Sequence, residues 1–313
     1  MWVQAKEFVF LAAGALGTTE ILLRSKAYGL NMSPTVGKNM SGNGDILAFA
    51  YNTDQIVNGI GTDNESYLKK HPVGPCITGI IDMRDEEVAP NVLDGYVIEE
   101  GVVPETLAHV LGPMLQLMPD QVKPKDISWE QLLRSSASKL KSDLKGPWEY
   151  GGALNRTLTY LIMSHDDNQA YMSLENNKPA LRFNGVARSQ HVLFLDNILG
   201  KGANKLHGAF ERNPFYSPKF GGAEITVHPI GGANMSSDGT GKKGVTNHLG
   251  QVFKGSNAEV YDGLVVVDGA VVPAALGVNP FATITALAER SVEKLALQKG
   301  WNIDYVTQNG DFL

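Results

Sequence analysis

A single cysteine, Cys76, stands in the 313 residues, so no disulfide can form within the chain. That excludes a disulfide-stapled scaffold and fits a reducing compartment. No apolar run approaches the roughly 18 residues of a membrane span. Blocks of basic residues are missing and the net charge is −6, which argues against nucleic acid as a partner. The seven histidines form no H-x-x-x-H pair and no His/Cys cluster, so no metal site is expected. A G-x-S-x-G nucleophile elbow is also absent. Cys76 sits inside an apolar strand pattern, which predicts a buried, inert thiol. The start, "MWVQAKEFVFLAAGALG", has an acid in its flank and runs into a strand–turn–helix pattern rather than a signal peptide. Together these favour a cytoplasmic location. Five Asn-x-Ser/Thr sequons, at Asn31, Asn39, Asn64, Asn155 and Asn234, would matter only in a secreted protein.

What is present is an ordinary core composition, 43% hydrophobic and 19% charged, enough for one large domain or two smaller ones. Glu7 to Ala13 reads as a strand, Gly14 to Gly17 as a tight turn, and Thr18 or Thr19 as the cap of a helix ending near Gly29. A glycine-rich loop follows from Gly37 to Asp45. Ile46–Tyr51, Cys76–Met83, Tyr96–Ile98, Thr157–Met163, Ala170–Leu174, Ala180–Phe183 and Ile225–Val227 are strand candidates. Pro104–Met118, Ser128–Leu140 and Ser189–Leu199 read as helices. Pro119-Asp120 and Lys123-Pro124 mark loop or insertion between the first two. The pattern predicts an antiparallel sheet with helices, flanked at both ends by pieces of an α/β domain.

A literal G-x-G-x-x-G occurs at Gly239, Gly241 and Gly244. A phosphate-binding loop needs a strand before it and a helix opening on its last glycine. "NMSSD" and "VTNHLGQVF" supply neither, so a surface loop with two lysines is the reading. "SHDD" at Ser164–Asp167 reads as a polar turn at a strand end.

The last motif is "GLVVVDGAVVPAALGVNPFATITALAERSVEKL", from Gly263 to Leu295. A β-branched run is ended by Asp268-Gly269 and followed by a Pro/Gly loop. Asn279 is the expected N-cap and Pro280 the first helical residue of a long amphipathic helix. The open N–H groups of such a helix favour an anion. Upstream, His228 stands in "ITVHPIGGANM", at a predicted strand end with a glycine-rich exit. A neutral imidazole accepts a hydroxyl proton near pH 7, and an amide such as Asn279 holds the same oxygen. That pair suits alcohol oxidation beside a hydride acceptor. For each residue alone the plainer roles are a structural histidine and a cap.

"HPIGGANM", "GQVF" and "GLVVVDGAVVPAALGVNPFATITALAER" resemble, in order, the C-terminal block of the glucose–methanol–choline oxidoreductases. The cholesterol-oxidase-like branch is the most similar. "FVFLAAGALGTTEILLRS" resembles that family's strand–turn–helix beside the adenosine half of FAD, and "GKNMSGNGD" the loop after it. "GPCITGIIDMR", "YVIEEGVVPETL" and "YLIMSHDD" resemble intervening sterol-type segments.

The resemblance implies a mixed α/β fold. A partial, Rossmann-like FAD-binding domain would be joined to an antiparallel-sheet substrate domain with helices on one face. The implied bounds are 1–45 for the FAD-binding remnant, 46–222 for the substrate domain with a helical insertion at about 104–150, and 223–313 for the C-terminal catalytic segment. The family's N-terminal pyrophosphate loop has no counterpart here. The chain is therefore expected to be the middle and C-terminal part, and tight FAD binding to need the missing portion. The implied activity is oxidation of a sterol-like or other bulky alcohol with hydride transfer to FAD. A non-catalytic binding module is the alternative. The resemblance implies contacts to FAD by Gly14, Asn43, Gly44, Asp268, Gly269, Asn279, Pro280 and Phe281, with His228 and Asn279 flanking the substrate hydroxyl. Sterol enzymes that also move a ring double bond need a carboxylate. Glu99 and Glu100 are candidates, against the plainer reading of solvated turn acids.

Overall fold

The computed structural model describes residues 4–72, 76–85, 87, 89–117, 127–183, 189–216 and 225–305. In chain order the elements are β1 (Val9–Leu11), α1 (Gly14–Ala27), β2 (Ile46–Tyr51), α2 (Glu65–Lys70), β3 (Ile80–Met83), β4 (Tyr96–Gly101), α3 (Glu105–Leu117) and α4 (Trp129–Lys145). They continue with β5 (Leu158–Met163), β6 (Tyr171–Glu175), β7 (Lys178–Arg182), α5 (Ser189–Lys205), β8 (Ala209–Arg212), β9 (Gln251–Phe253), β10 (Val260–Val266) and α6 (Phe281–Gln298). The Pro119-Asp120 and Lys123-Pro124 pairs, and the expected boundary at 222/223, lie outside the described residues.

Two compact units form. The first comprises Met1–Gly42, Asn168–Asn184 and His228–Leu313, the second Asn43–Asp167 and Gly185–Val227.

In the first unit, β1 pairs in parallel with β10, Val9 opposite Leu264 and Leu11 opposite Val266. β9 adds antiparallel on the other side of β10. The strand–turn–helix segments from the two ends of the chain are thus direct neighbours. Side chains alternate along β10, so its two faces bury different helices. Val266 packs with Leu22 of α1, Val252 and Val271. Val265 packs with Leu249 and Leu295 of α6. Each such side chain contributes about 1.5–3 kcal/mol by leaving water. The β6–β7 hairpin turns at Asn176-Asn177, both at positive φ (49° and 60°), as a two-residue hairpin turn requires. Arg24 of α1 donates to the Asn177 side chain at 2.7 Å and to its carbonyl at 3.1 Å.

The second unit is a five-stranded antiparallel sheet, order β3-β4-β5-β2-β8. On one face Ala48, Ala50, Ile98 and Ile162 pack against Val192, Leu195 and Leu199 of α5. On the other, Phe49 and Tyr51 pack with Ala108 and Leu115 of α3. The expected helical layer over the sheet is present, and α3 adds a layer on the opposite face.

Several local expectations change. Helix α1 starts at Gly14, so Thr18 and Thr19 are inside it and buried rather than caps. Ile225–Val227 is not a strand; Val227 sits in a bend, its N–H bonded to the Asp45 carboxylate at 2.9 Å. The strand expected from Cys76 begins only at Ile80, and Cys76 is exposed, not buried. Pro75 and Gly79 flank the short apolar run there and oppose a regular strand. The glycine triplet is a loop, as its flanks predict. A Cβ at Gly241 would overlap the Gly255 carbonyl, so that glycine serves close chain packing.

Candidate functional site

Asp268 lies two residues past the end of β10 and is buried. One carboxylate oxygen accepts from the Ala270 N–H at 2.8 Å, capping a single 3-10 turn at Gly269–Val271. The other accepts from the Thr18 hydroxyl of α1. Thr18 Oγ1 in turn accepts from the Ala13 N–H at 3.1 Å. One carboxylate therefore ties the end of β10 to the first turns of α1.

The 3-10 turn also holds the segment after His228. The Gly231 N–H donates to the Gly269 carbonyl at 2.9 Å, Ala233 to Ala270 at 3.0 Å, and Met235 to Val271 at 2.9 Å. Gly231 and Gly232 run at φ +84° and +95°. A Cβ at Gly231 would fall 2.6 Å from the Asn39 carbonyl oxygen, and one at Gly232 would overlap Thr19 Oγ1. The two glycines are needed for both conformation and close approach. A Cβ at Gly269 would meet Ile284 of α6 at 3.2 Å and the Pro229 carbonyl oxygen at 3.7 Å. So Gly269 lies between the residue after His228 and the first turn of the helix that follows Asn279.

His228 is half-buried and lies on irregular chain, not at a strand end. Asn279 is half-buried and is not the helix cap. Pro280 holds that position, its carbonyl accepting from Ile284 N–H at 2.9 Å, and Phe281 is the first helical residue, 78% exposed. The helix starts one residue later than expected because proline's ring disposes Pro280, already at φ −80° and ψ −6°, to open the turn itself. Neither α1 nor α6 has a side-chain cap bond or an acid in its first turn. Gly14 sits at φ +75° with nothing within 4 Å of where a Cβ would be. These N-termini therefore present partial positive charge that no carboxylate of their own first turns offsets.

Asn43 and Gly44 belong to the second unit, at φ +58° and +60°. Ser164 N–H donates to the Asn43 carbonyl at 3.3 Å, and the Ser164 hydroxyl to the Gly44 carbonyl at 2.8 Å. The unit also contains an apolar cavity of about 90 Å³, lined by Leu47, Phe49, Val103, Leu107, Leu111 and Thr159 among others. Register puts Glu99 on the same face, opposite Leu161, which is itself opposite Leu47. Glu99 is a buried strand residue, not a solvated turn acid. Glu100 accepts from the Thr78 N–H at 2.6 Å.

Sequence reasoning missed Thr18 as the partner of Asp268. The only signal was a polar residue on the inward side of α1, which read more simply as a cap. The residues lining the apolar cavity were legible as core but not as cavity walls.

The segment that carries His228, the Asp268-Gly269 turn and Asn279 is also the one with a recognisable pedigree. Residues 197–288 match the GMC oxidoreductase family. Cholesterol oxidase from Mycobacterium tuberculosis (strain CDC 1551 / Oshkosh) is 26% identical over 195 residues, covering 59% of this chain and 31% of that protein. Cholesterol oxidase from Acinetobacter baumannii is 43% identical over 68 residues, 22% of this chain and 11% of that one. The chain therefore spans about a third or less of the curated relatives it matches. Among solved structures, a FAD-dependent oxidoreductase from Chaetomium thermophilum aligns with a TM-score of 0.52 at 16% identity, over 96% of this chain and 57% of that one. A fungal aryl-alcohol oxidase aligns with a TM-score of 0.51 at 16% identity, over 95% and 56%. At that identity the likeness is one of fold. It extends along nearly the whole chain, whereas the GMC family match covers residues 197–288, from within α5 to within α6.

Proposed function

We propose that this chain forms part of a FAD-dependent oxidoreductase acting on the CH–OH group of a bulky apolar, sterol-like alcohol. The observation that carries the reading is the Gly269 junction. Within the GMC-matching segment, one buried turn holds the stretch after His228 and touches the first turn of the helix after Asn279.

The residues present fit the cofactor on physical grounds. FAD is an anionic dinucleotide, and the first unit offers two helix N-termini without capping side chains or first-turn acids, with open space at Gly14. In this reading Gly14 and the start of α1 face the adenosine half. Asp268 and Gly269 hold the turn against the ribityl and phosphate region. Asn279, Pro280 and Phe281 face the ring system.

When bound, FAD supplies the hydride acceptor. His228 accepts the hydroxyl proton as the carbon–hydrogen bond breaks, and Asn279 holds the oxygen in line. The start of α6 adds a favourable field where negative charge develops. For the substrate, support comes from the cholesterol oxidase relatives and from the largely apolar walls of the second unit's cavity. At about 90 Å³ that cavity is smaller than the roughly 300–1,000 Å³ of ordinary ligand sites, so it suits an alkyl or ring portion of a larger molecule.

The experiment is anaerobic mixing of FAD-loaded protein with a sterol and with a short primary alcohol. Loss of the flavin absorbance with the sterol supports the reading. A preparation that loads FAD yet responds to neither alcohol contradicts it and favours a binding module.

A further inference from the structure

The chain from Val272 to Asn279, between the 3-10 turn and Pro280, is loop with no strand or helix of its own. A loop has no backbone ladder to fix it, so Asn279 at its end is placed by the contacts made along the way. Ala275 lies in the middle of this loop and is buried. Its N–H donates to the Asn168 side-chain oxygen at 2.9 Å. A buried N–H needs such an acceptor, and losing it strands the donor away from water.

Asn168 suits the place by residue type. It sits at φ +52°, in the left-handed region that asparagine tolerates better than most residues. An asparagine in that conformation commonly bonds backbone close by in sequence. Here the side-chain oxygen instead reaches a loop 107 positions further along the chain.

Asn168 is itself held by its neighbours. Ala170 and Met40 exchange two backbone bonds, at 2.8 and 3.1 Å, and the Met172 N–H donates to the Gly37 carbonyl at 2.7 Å. Met40, Ala170 and Met172 form a small buried cluster. The Gly37–Ser41 stretch also bonds the segment that follows His228. Ser41 and Ile230 exchange two bonds, each of 3.0 Å, and the Gly37 N–H donates to the Gly232 carbonyl at 2.8 Å. All of these residues belong to the first unit. Gly37–Ser41 is therefore a shared frame. The segment after His228 is bonded to it directly, and the loop before Asn279 is joined to it through Asn168.

We propose that Asn168 is a positioning residue: its bond to Ala275 sets the loop that presents Asn279, and so the rate of alcohol oxidation. This rests on the reading of His228 and Asn279 as the pair that flanks the alcohol. Small displacements of such groups are costly, because the reacting atoms must be held close and in line.

Two substitutions of the full chain test it. Asn168→Gly keeps the left-handed backbone and removes the acceptor, whereas Asn168→Asp keeps both. Hydrogen–deuterium exchange needs no turnover and is read first. The Gly variant should exchange roughly fivefold to tenfold faster across Val272–Asn279, with β10 exchanging as in the parent. The Asp variant should recover the protection. Anaerobic bleaching of FAD-loaded protein by a sterol is read second. The Gly variant should lose about tenfold or more in limiting rate, while the alcohol concentration at half-maximal rate stays within about threefold. Unchanged exchange in the Gly variant overturns the tether. Faster exchange with a parent-like limiting rate leaves a structural bond alone and overturns the positioning role. A parent that loads FAD yet never bleaches removes the reading on which that role rests, and the exchange data tell this failure from a failure of the tether.

Discussion

The Thr18 hydroxyl donates to the Asp268 carboxylate across 250 positions of sequence, joining the helix at one end of the chain to the strand end at the other. Both groups are buried, so losing one partner strands the other away from water. Thr18→Val keeps the shape and removes the donor. It should cost about 1–3 kcal/mol, read as a lower urea midpoint for the first unit. An unchanged midpoint would mean that the Ala270 N–H alone satisfies Asp268.

Gly232 tests the close approach beside the same turn. Its φ of +95° is unfavourable for any L side chain, and a Cβ would overlap Thr19 Oγ1. Gly232→Ala should therefore destabilise by more than the roughly 1 kcal/mol that a glycine-to-alanine change typically moves stability. A melting temperature equal to the parent's would show that the chain there relaxes freely.

Tyr160 gives a pH signature in the second unit. Burial in the sheet core pushes its phenol up to about 12, from an ordinary value near 10. The folded state thus holds this proton more tightly than the unfolded state. The contribution is fully present below pH 10 and is lost as pH rises through about 12. Across that window the protein should lose about 2–3 kcal/mol that Tyr160→Phe does not lose. Denaturation of both proteins at pH 9 and near pH 11.5 checks this, and parallel losses would contradict it.

Asn279 separates position from capping. Since Pro280 is the cap, Asn279→Asp leaves the helix start intact, and the added charge suits a helix N-terminus. Stability should hold or rise by a few tenths of a kcal/mol. In FAD-loaded protein the same charge should oppose the negative charge that builds on the ring system, lowering the flavin potential and slowing its bleaching by alcohol. A parent-like potential and rate would remove Asn279 from the site.

Much of this fold was legible because its strands and helices carry strong local periodicity. Ile46–Tyr51 forms β2 at the limits expected, and the stretch around Asp268 is strand, turn and helix as read. The misreadings share a cause. For Thr18 and Ile225–Val227 local propensity points to a cap and a strand, while tertiary partners decide otherwise. Thr18 is claimed by Asp268, and Val227 by the Asp45 carboxylate. Helix α4 turns its polar side, with Ser135 and Ser138, toward Asn52, which its sequence does not show for the same reason. Its periodicity is that of any amphipathic helix, and only the bonds from Asn52 and Asp54 turn the polar side inward.

The central claim is that His228 takes the proton of an alcohol oxidised by FAD. The measurement is anaerobic stopped-flow bleaching of FAD-loaded His228→Ala beside the parent, with flavin content fixed by absorbance before mixing. The account predicts equal FAD loading and bleaching slowed roughly 10²–10⁴-fold, as the loss of a general base requires. Bleaching at the parent rate in a fully loaded variant would contradict it.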